Sequence, residues 1–355
     1  MNPVRNAGAR RRPFEAATRT LRANWIAIAL AIVLIVIVVV SVPAFFQPSN
    51  LLNVGRQSAY VGVIAIGMTF VILTGGIDLS VGSILALSGV TMSILVNSGW
   101  MIGAAIAVAV LVGVAVGVIN GVGVAVLKIQ PFIMTLATMV AFGGLSLRLT
   151  DGGPTPFDNS DFAFRLLGSG NVLGVPGPFL VFLLVAVLGI LALRYLTFGR
   201  YLYAIGGSAE AARLSGVRTK RTLILAYAIS GLAAGLSGVM TASRIGSGDP
   251  TAGGLANLDA ITAVVIGGTS LMGGIGGAVG TVFGAVLLAV LSNVMNLIGI
   301  SPFDQQIVKG AVIVLAVLLA AGAMRRRIPR SQDTTGFAAS PGIRHEPPAS
   351  SPSDH

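Results

Sequence analysis

The sequence predicts an all-α polytopic membrane protein of about ten transmembrane helices, with broken or re-entrant segments and an inverted internal repeat. Three observations predict it. Hydrophobic residues make up 54% of the chain and charged residues only 10%, and the apolar runs are long enough to cross about 30 Å of hydrocarbon. The chain holds 47 glycines, which argues against a simple up-and-down bundle and for close helix contacts with several interrupted helices. Basic residues are confined to short segments beside apolar runs, so the net charge of +11 reflects membrane topology and not a nucleic-acid partner. A soluble globular fold is excluded. There is no cysteine, hence no disulfide and no thiolate metal site.

Taken in order, residues 1–23 form a basic cytoplasmic tail carrying Arg5, Arg10, Arg11, Arg12, Arg19 and Arg22. The apolar run 25–42 exceeds the roughly 7–15 residues of a signal-peptide core, so it reads as a retained first span. Residues 43–53 connect the first two spans on the outer side, and 54–73 return inward. That second span ends in TGGIDLS. Gly75 and Gly76 interrupt the helix, and Asp78 or Ser80 is placed to cap the third span, which runs toward Asn97. A lone carboxylate here is too costly to face lipid. It either caps a helix at a tight cytoplasmic turn or shapes a path.

The fourth span, 101–127, carries Gly113, Gly117 and Gly121 at four-residue spacing, a stripe expected to pack against another helix, with Asn120 beside it. Pro131 opens the fifth span, where a proline suits the first helical turn. Residues 150–178 form the longest outer loop, which either receives an external partner or simply joins two spans. The sixth span is 179–196.

Between the sixth and seventh spans lies a polar island, AIGGSAEAARLSGVRTKR, residues 204–221. Gly206 and Gly207 are expected to break the chain, Ser208 to cap a short helix, Glu210 to suit its dipole and Gly216 to end it in a left-handed cap. Ala211 and Leu214 share a face with small Ala212 beside them, and Arg213, Arg218, Lys220 and Arg221 mark the segment as cytoplasmic. Two readings are open: a helix that docks in a groove of a soluble partner, or a basic loop containing one helical turn.

The seventh span, 222–242, leads into a stretch too rich in Gly, Pro and Asp for continuous helix, tolerated at membrane depth only beside protein or water. It contains Asp249 and Asp259. Asp259 starts the eighth span, either as a cap or as a path residue, and 277–298 and 305–321 complete the ten. Arg325, Arg326 and Arg327 return the C-terminus to the cytoplasm, and the Ser/Pro-rich stretch 331–355 is expected to be disordered. In this topology 18 of the 23 Lys and Arg lie on the inner side. Spans two to five and seven to ten run oppositely, and each set has a Gly-Gly break, VILTGGIDLS and AVVIGGTSLM, as an inverted repeat would.

Nothing in the chain supplies chemical energy. None of the three lysines, Lys128, Lys220 and Lys309, sits in a phosphate-binding P-loop, so ATP-driven work needs a second polypeptide. Both histidines, His345 and His355, lie in the C-terminal tail, and no metal-ligand cluster or nucleophilic triad can be assembled. No catalytic residue and no metal site is expected. An ion-coupled secondary transporter of a small polar solute would share the repeat and broken helices but needs a midplane ion site, for which two carboxylates are thin support. A purely structural scaffold gives no reason for interrupted helices beside acidic residues.

The segments GMTFVILTGGIDLSVGSILALSG (67–89), LKIQPFIMTLATM (127–139), GRYLYAIGGSAEAARLSGV (199–217) and DPTAGGLANLDAITAVVIGGTSLMGG (249–274) resemble the membrane permeases of bacterial ABC importers for ribose and related simple sugars. The resemblance covers about 50–319 and makes 24–323 a transmembrane permease domain, its coupling loop at 197–221, with 324–355 a cytoplasmic tail. It implies that Ser208, Glu210, Ala211, Ala212, Arg213, Leu214 and Gly216 form a coupling helix that docks on an ABC ATP-binding subunit. ATP and Mg would then be bound by that subunit, and this chain would hold no cofactor. A solute-binding protein would deliver the sugar from outside, and a second permease copy, identical or different, would complete the path. Gly75, Gly76, Asp78, Asn120 and Asp259 are the candidates for shaping the path. The implied location is the bacterial inner membrane, multi-pass, with both termini cytoplasmic.

Overall fold

The computed structural model describes residues 42–325, together with Val33, Val36 and Val40. The basic N-terminal tail, most of the expected first span and the C-terminal tail lie outside the described residues. Within them the chain is nearly all helical: α1 (Pro48–Leu73), α2 (Val81–Asn97), α3 (Ile102–Ala125), α4 (Pro131–Leu149), α5 (Phe162–Gly168), α6 (Gly177–Tyr195), α7 (Thr197–Gly207), α8 (Ala209–Leu214), α9 (Thr219–Ile245), α10 (Ala256–Ile266), α11 (Ala278–Leu297) and α12 (Pro302–Arg325). Among the described residues six helices, α1, α3, α4, α6, α9 and α11, are long and apolar enough to cross a membrane.

Helix α1 is the axis of the bundle. It starts at Pro48, whose missing N–H costs nothing in a first turn. Its apolar window is 83% buried, against 17% for α4 and 33% for α6, several of whose leucines and valines remain exposed. Packed around α1 are α6, α9, α10 and α11. The most extensive helix contact among the described residues joins α3 to α9, and the glycine stripe makes it. A Cβ on Gly113 would overlap the Gly231 carbonyl, one on Gly117 the Tyr227 carbonyl, and one on Gly121 would sit 2.6 Å from the Ile224 Cα. The stripe is therefore a packing face, with backbone against backbone.

The inverted repeat is visible in how the helices pack, though with a different correspondence from the Gly-Gly pairs. Helix α1 packs on α9, α10 and α11, and α9 packs on α1, α2 and α3, while α2 with α3 and α4 mirrors α10 with α11 and α12. This pairs α1 with α9, and the two run in opposite directions. The counterpart of the turn after α1, GGIDLS, is then the turn after α9, GSGDPT. Gly75 and Gly246 both take left-handed backbone, φ 82° and 73°, and three residues later come Asp78 and Asp249. Each aspartate closes the same local turn: Asp78 Oδ1 accepts from the Ser80 amide and hydroxyl at 3.0 and 2.6 Å, Asp249 Oδ1 from the Thr251 amide and hydroxyl at 2.7 Å each. The Gly267-Gly268 pair instead ends α10, where a Cβ on Gly267 would overlap Gly280 of α11.

Two sequence expectations, for the eighth and seventh spans, are corrected, and one loop gains detail. The eighth span is only the 11-residue α10, because Gly267 and Gly268 stop it and 267–277 continues as a turn-rich loop with left-handed Gly268, Gly273, Gly274 and Gly276. Such a helix is a half-span. The long loop 150–178 is ordered: β1 (Thr155–Pro156) pairs antiparallel with β4 (Ser247–Gly248), α5 is capped by Asp161 accepting from the Phe164 amide at 2.7 Å, and β2 (Asn171–Val172) and β3 (Val175–Pro176) form a hairpin. Finally, α9 runs from Thr219 to Ile245, a turn longer than predicted at its start.

Candidate functional site

The polar island folds into two helices. Gly206 and Gly207 do not break the chain before the short helix; they form the last turn of α7, and Ser208 is at once the C-cap of α7 and the N-cap of α8. The reason for glycine at 206 is proximity. A Cβ there would overlap the Leu73 carbonyl at the end of α1 and the Gly274 amide, whereas Gly207 has nothing within 4 Å.

Helix α8 is capped at both ends by its own sequence. The Ser208 hydroxyl accepts from the Ala211 amide at 3.2 Å. At the other end the Val217 amide donates to the Ala212 carbonyl and the Gly216 amide to the Arg213 carbonyl, both at 3.0 Å, with Gly216 at φ 82°. This is the Schellman arrangement, and it needs the glycine. Ala212 faces inward and is buried, while Leu214 is 75% exposed. Arg213 grips Glu210 on the same exposed side, Nη2 to Oε1 at 2.6 Å and Nε to Oε2 at 3.1 Å. That bond, and the guanidinium charge after it, hold the Glu210 carboxyl below its ordinary value. The result is a rigid stub of six residues that presents Leu214, Ala211 and one ion pair to solvent.

Three backbone segments meet at the base of this stub. The Gly274 amide donates to the Leu73 carbonyl at 2.9 Å, and a Cβ on Gly273 would lie 2.7 Å from the Gly75 amide and 3.0 Å from Gly206. The end of α1, the end of α7 and the loop after α10 are thus fastened at glycines, without intervening side chains.

One turn beyond that junction lies a buried polar network. Asp78 is wholly buried and touches neither lipid nor a cation; it accepts from Ser80 and, through Oδ2, from the Ser230 hydroxyl of α9 at 2.8 Å. Asn120 of α3 donates to the Ser80 hydroxyl at 2.8 Å and accepts from Thr138 of α4 at 2.8 Å. Gly76 leaves room for the Tyr227 hydroxyl, which has no hydrogen-bond partner. Asp78 does not cap α2. Ser80 holds the cap position but makes no side-chain cap bond, because its hydroxyl is engaged by the carboxylate two residues earlier. In this structure Asp78 and Asn120 tie α2, α3, α4 and α9 together from the inside.

Asp259 is not part of this group. It lies in the first turn of α10, whose N-cap is Leu255, and its Oδ2 accepts from Lys309 of α12 at 2.9 Å, so it is not a cap either. The aspartate still complements the helix dipole, and the ion pair ties the short helix to its neighbour. Ser230, Thr138, Gly273 and Gly274 escaped the sequence reading. Ser230 is 152 residues from Asp78, and no local pattern announces such a meeting.

Residues 50–317 match the family model described as branched-chain amino acid transport system / permease component. Over 279 residues the chain is 48% identical to a ribose import permease protein of Bacillus subtilis (strain 168), covering 78% of this chain and 86% of that protein. It is 43% identical over 281 residues to a ribose import permease protein of Escherichia coli (strain K12), covering 78% and 87%, and 35% identical over 343 residues to a xylose transport system permease protein of the same strain, covering 80% and 87%. No solved structure matches the chain. With the match spanning nearly all the described helices, the chain belongs to this family of multi-pass transport-system permeases.

Proposed function

We propose that this chain is the transmembrane subunit of an ATP-driven ABC importer that moves a ribose-type monosaccharide across the bacterial inner membrane by alternating access. The observation that carries the reading is the stub α8, rigid by its two caps and seated at its base on the end of α1. A capped helix with one exposed apolar side chain and one ion pair is suited to a groove on a soluble ATP-binding subunit. Because Gly206 contacts Leu73 and Gly274 without a side chain between them, displacement of α8 is passed to α1 and to the half-helix α10. The turn at Asp78 then carries it to α2, α3 and α9.

In this scheme ATP and Mg reside on the ATP-binding subunit, the solute-binding protein delivers sugar at the end opposite α8, and a second permease copy completes the path. The α8 end and both termini face the cytoplasm. The sugar assignment rests on the ribose and xylose permeases at 35–48% identity; the family description names branched-chain amino acids instead, so substrate choice is open to direct test.

The experiment is reconstitution of the permease with its ATP-binding subunit and binding protein in vesicles. ATP-dependent ribose uptake that survives collapse of ion gradients is expected. Uptake of leucine but not ribose would replace the substrate, and uptake driven by an ion gradient without ATP would reject the importer.

A further inference from the structure

A cavity of about 360 Å³ opens at the end of the bundle opposite α8, among the first turns of α1, the last turn of α9 and the last turns of α11. Its lining is polar to an unusual degree, with asparagines, a glutamine, Arg56 and Arg244, and Leu297 alone apolar. What matters is which hydrogen-bonding capacity remains unused.

The oxygens of the four lining asparagines are already occupied. Asn50 and Asn293 accept from each other's amide nitrogens at 2.8 and 2.9 Å, Asn53 accepts from Arg56 Nη1 at 3.0 Å, and Asn296 accepts from Gln305 at 2.8 Å. Donors are left over. Arg56 Nη2 donates to Asn171 Oδ1 at 2.8 Å, but its Nε is buried with no acceptor among the described residues, and the Arg244 guanidinium lies over the Tyr60 ring, 5.1 Å from its centroid. Among the described residues both ion pairs lie elsewhere, at Glu210–Arg213 and Asp259–Lys309, so neither cavity arginine has a carboxylate partner. A neutral polyol would need several acceptors as well as donors, and among the lining carboxamides only the Gln57 oxygen accepts no hydrogen bond. Two guanidiniums, surplus N–H groups and no anion form the complement of an oxyanion with several acceptor oxygens.

The surroundings identify the class further. Phe46, two residues before α1, Leu51 in its first turn, and Leu297 and Ile298 at the end of α11 are exposed apolar side chains near the cavity residues in the chain. A polar socket bordered by apolar surface at the end of membrane-spanning helices suits an amphiphile, head group inward. We infer that the cavity bordered by Arg56 and Arg244 binds a phosphate oxyanion, supplied by an anionic phospholipid head group or by free phosphate. The site is distinct from α8 and from the Asp78 network, and its assignment does not depend on which solute is transported.

The test uses the full-length permease, purified and delipidated in detergent, with its unfolding temperature followed during titration. The probes are inorganic phosphate, short-chain phosphatidylglycerol, and diacylglycerol as a phosphate-free control. Phosphatidylglycerol should raise the unfolding temperature of the wild type and diacylglycerol should not. The concentration needed should rise about tenfold in R56Q and in R244Q, the loss expected for one charge-assisted contact. R56K keeps the charge but not the fork, serves as the folding control and should fall between. A response to inorganic phosphate alone identifies the free anion as sufficient; a response only to the lipid identifies the head group. No response to either phosphate probe, or equal midpoints in the wild type and both glutamine variants, overturns the assignment. So does a result in which the variants bind both probes normally and lose only association with a soluble protein, which would give the arginines to a protein interface.

Discussion

The Cα of Gly206, at the end of α7, rests directly against the backbone carbonyl of Leu73, the last residue of α1, although they lie 133 positions apart in the chain. No side chain cushions this contact. It joins the helix that carries the exposed stub to the helix at the centre of the bundle.

Adding a single methyl at this contact should therefore be felt. G206A forces the Leu73 carbonyl or Gly274 to move and is expected to destabilise by about 1–3 kcal/mol. G207A meets open space, so only its helix propensity changes. Thermal unfolding of the two variants, together with ATP hydrolysis per sugar moved in vesicles, checks this. Equal behaviour would mean that the junction yields without consequence.

Removing the Ser230 hydroxyl leaves Asp78 Oδ2 buried without its donor. S230A should cost about 1–3 kcal/mol, the range for an orphaned buried polar atom. D78N keeps the volume but replaces an acceptor oxygen by an N–H facing either Ser230 or Ser80, and should destabilise at least as much. The double variant S230A/D78N should be less damaging than the sum of the two, a non-additivity read from unfolding midpoints.

The Asp259–Lys309 pair, with side chains 20% and 25% exposed, should behave as a mostly buried one. Either D259N or K309Q alone is expected to lower stability by about 1–3 kcal/mol, because the remaining charge loses its partner. Changing both should recover much of the loss. If the singles are silent, the pair does not anchor α10.

Glu210 titrates in the direction set by Arg213. Since its carboxyl is held below the ordinary value of 4.5, the pair is fully present above that pH and is lost as pH falls through the lower folded value. Assembly with the ATP-binding subunit should accordingly be insensitive to this group between about pH 6 and 8 and weaken only in acid. E210Q and L214A should reduce assembly while leaving the melting temperature of the isolated permease unchanged, because both side chains are exposed.

Much of this architecture was legible in the sequence where a residue type has one physical use. The apolar runs announced spans, the stripe Gly113, Gly117 and Gly121 announced a close helix contact, and Ser208 with Gly216 delimited α8 as they do in space. What could not be read were meetings between distant residues. Gly206 looked like a helix breaker because its neighbour Leu73 is invisible in one dimension. The repeat is legible only in outline: the identical glycine pairs point to Gly267-Gly268, whereas the matching turns share left-handed Gly75 and Gly246 followed by Asp78 and Asp249. Similarly, Asp259 resembled a cap until Lys309 of α12 was found beside it.

The α3–α9 contact restricts how such a molecule can change shape. With Gly113 and Gly117 seated on the Gly231 and Tyr227 carbonyls, there are no compliant side chains to slide over, so the two helices travel as one plank. Any opening and closing has to be absorbed by the pieces that are short and hinged by left-handed glycines. The turns that flank α10, at Gly254 and Gly268, have that freedom, while α10 itself, with Gly267 seated against Gly280, moves with α11.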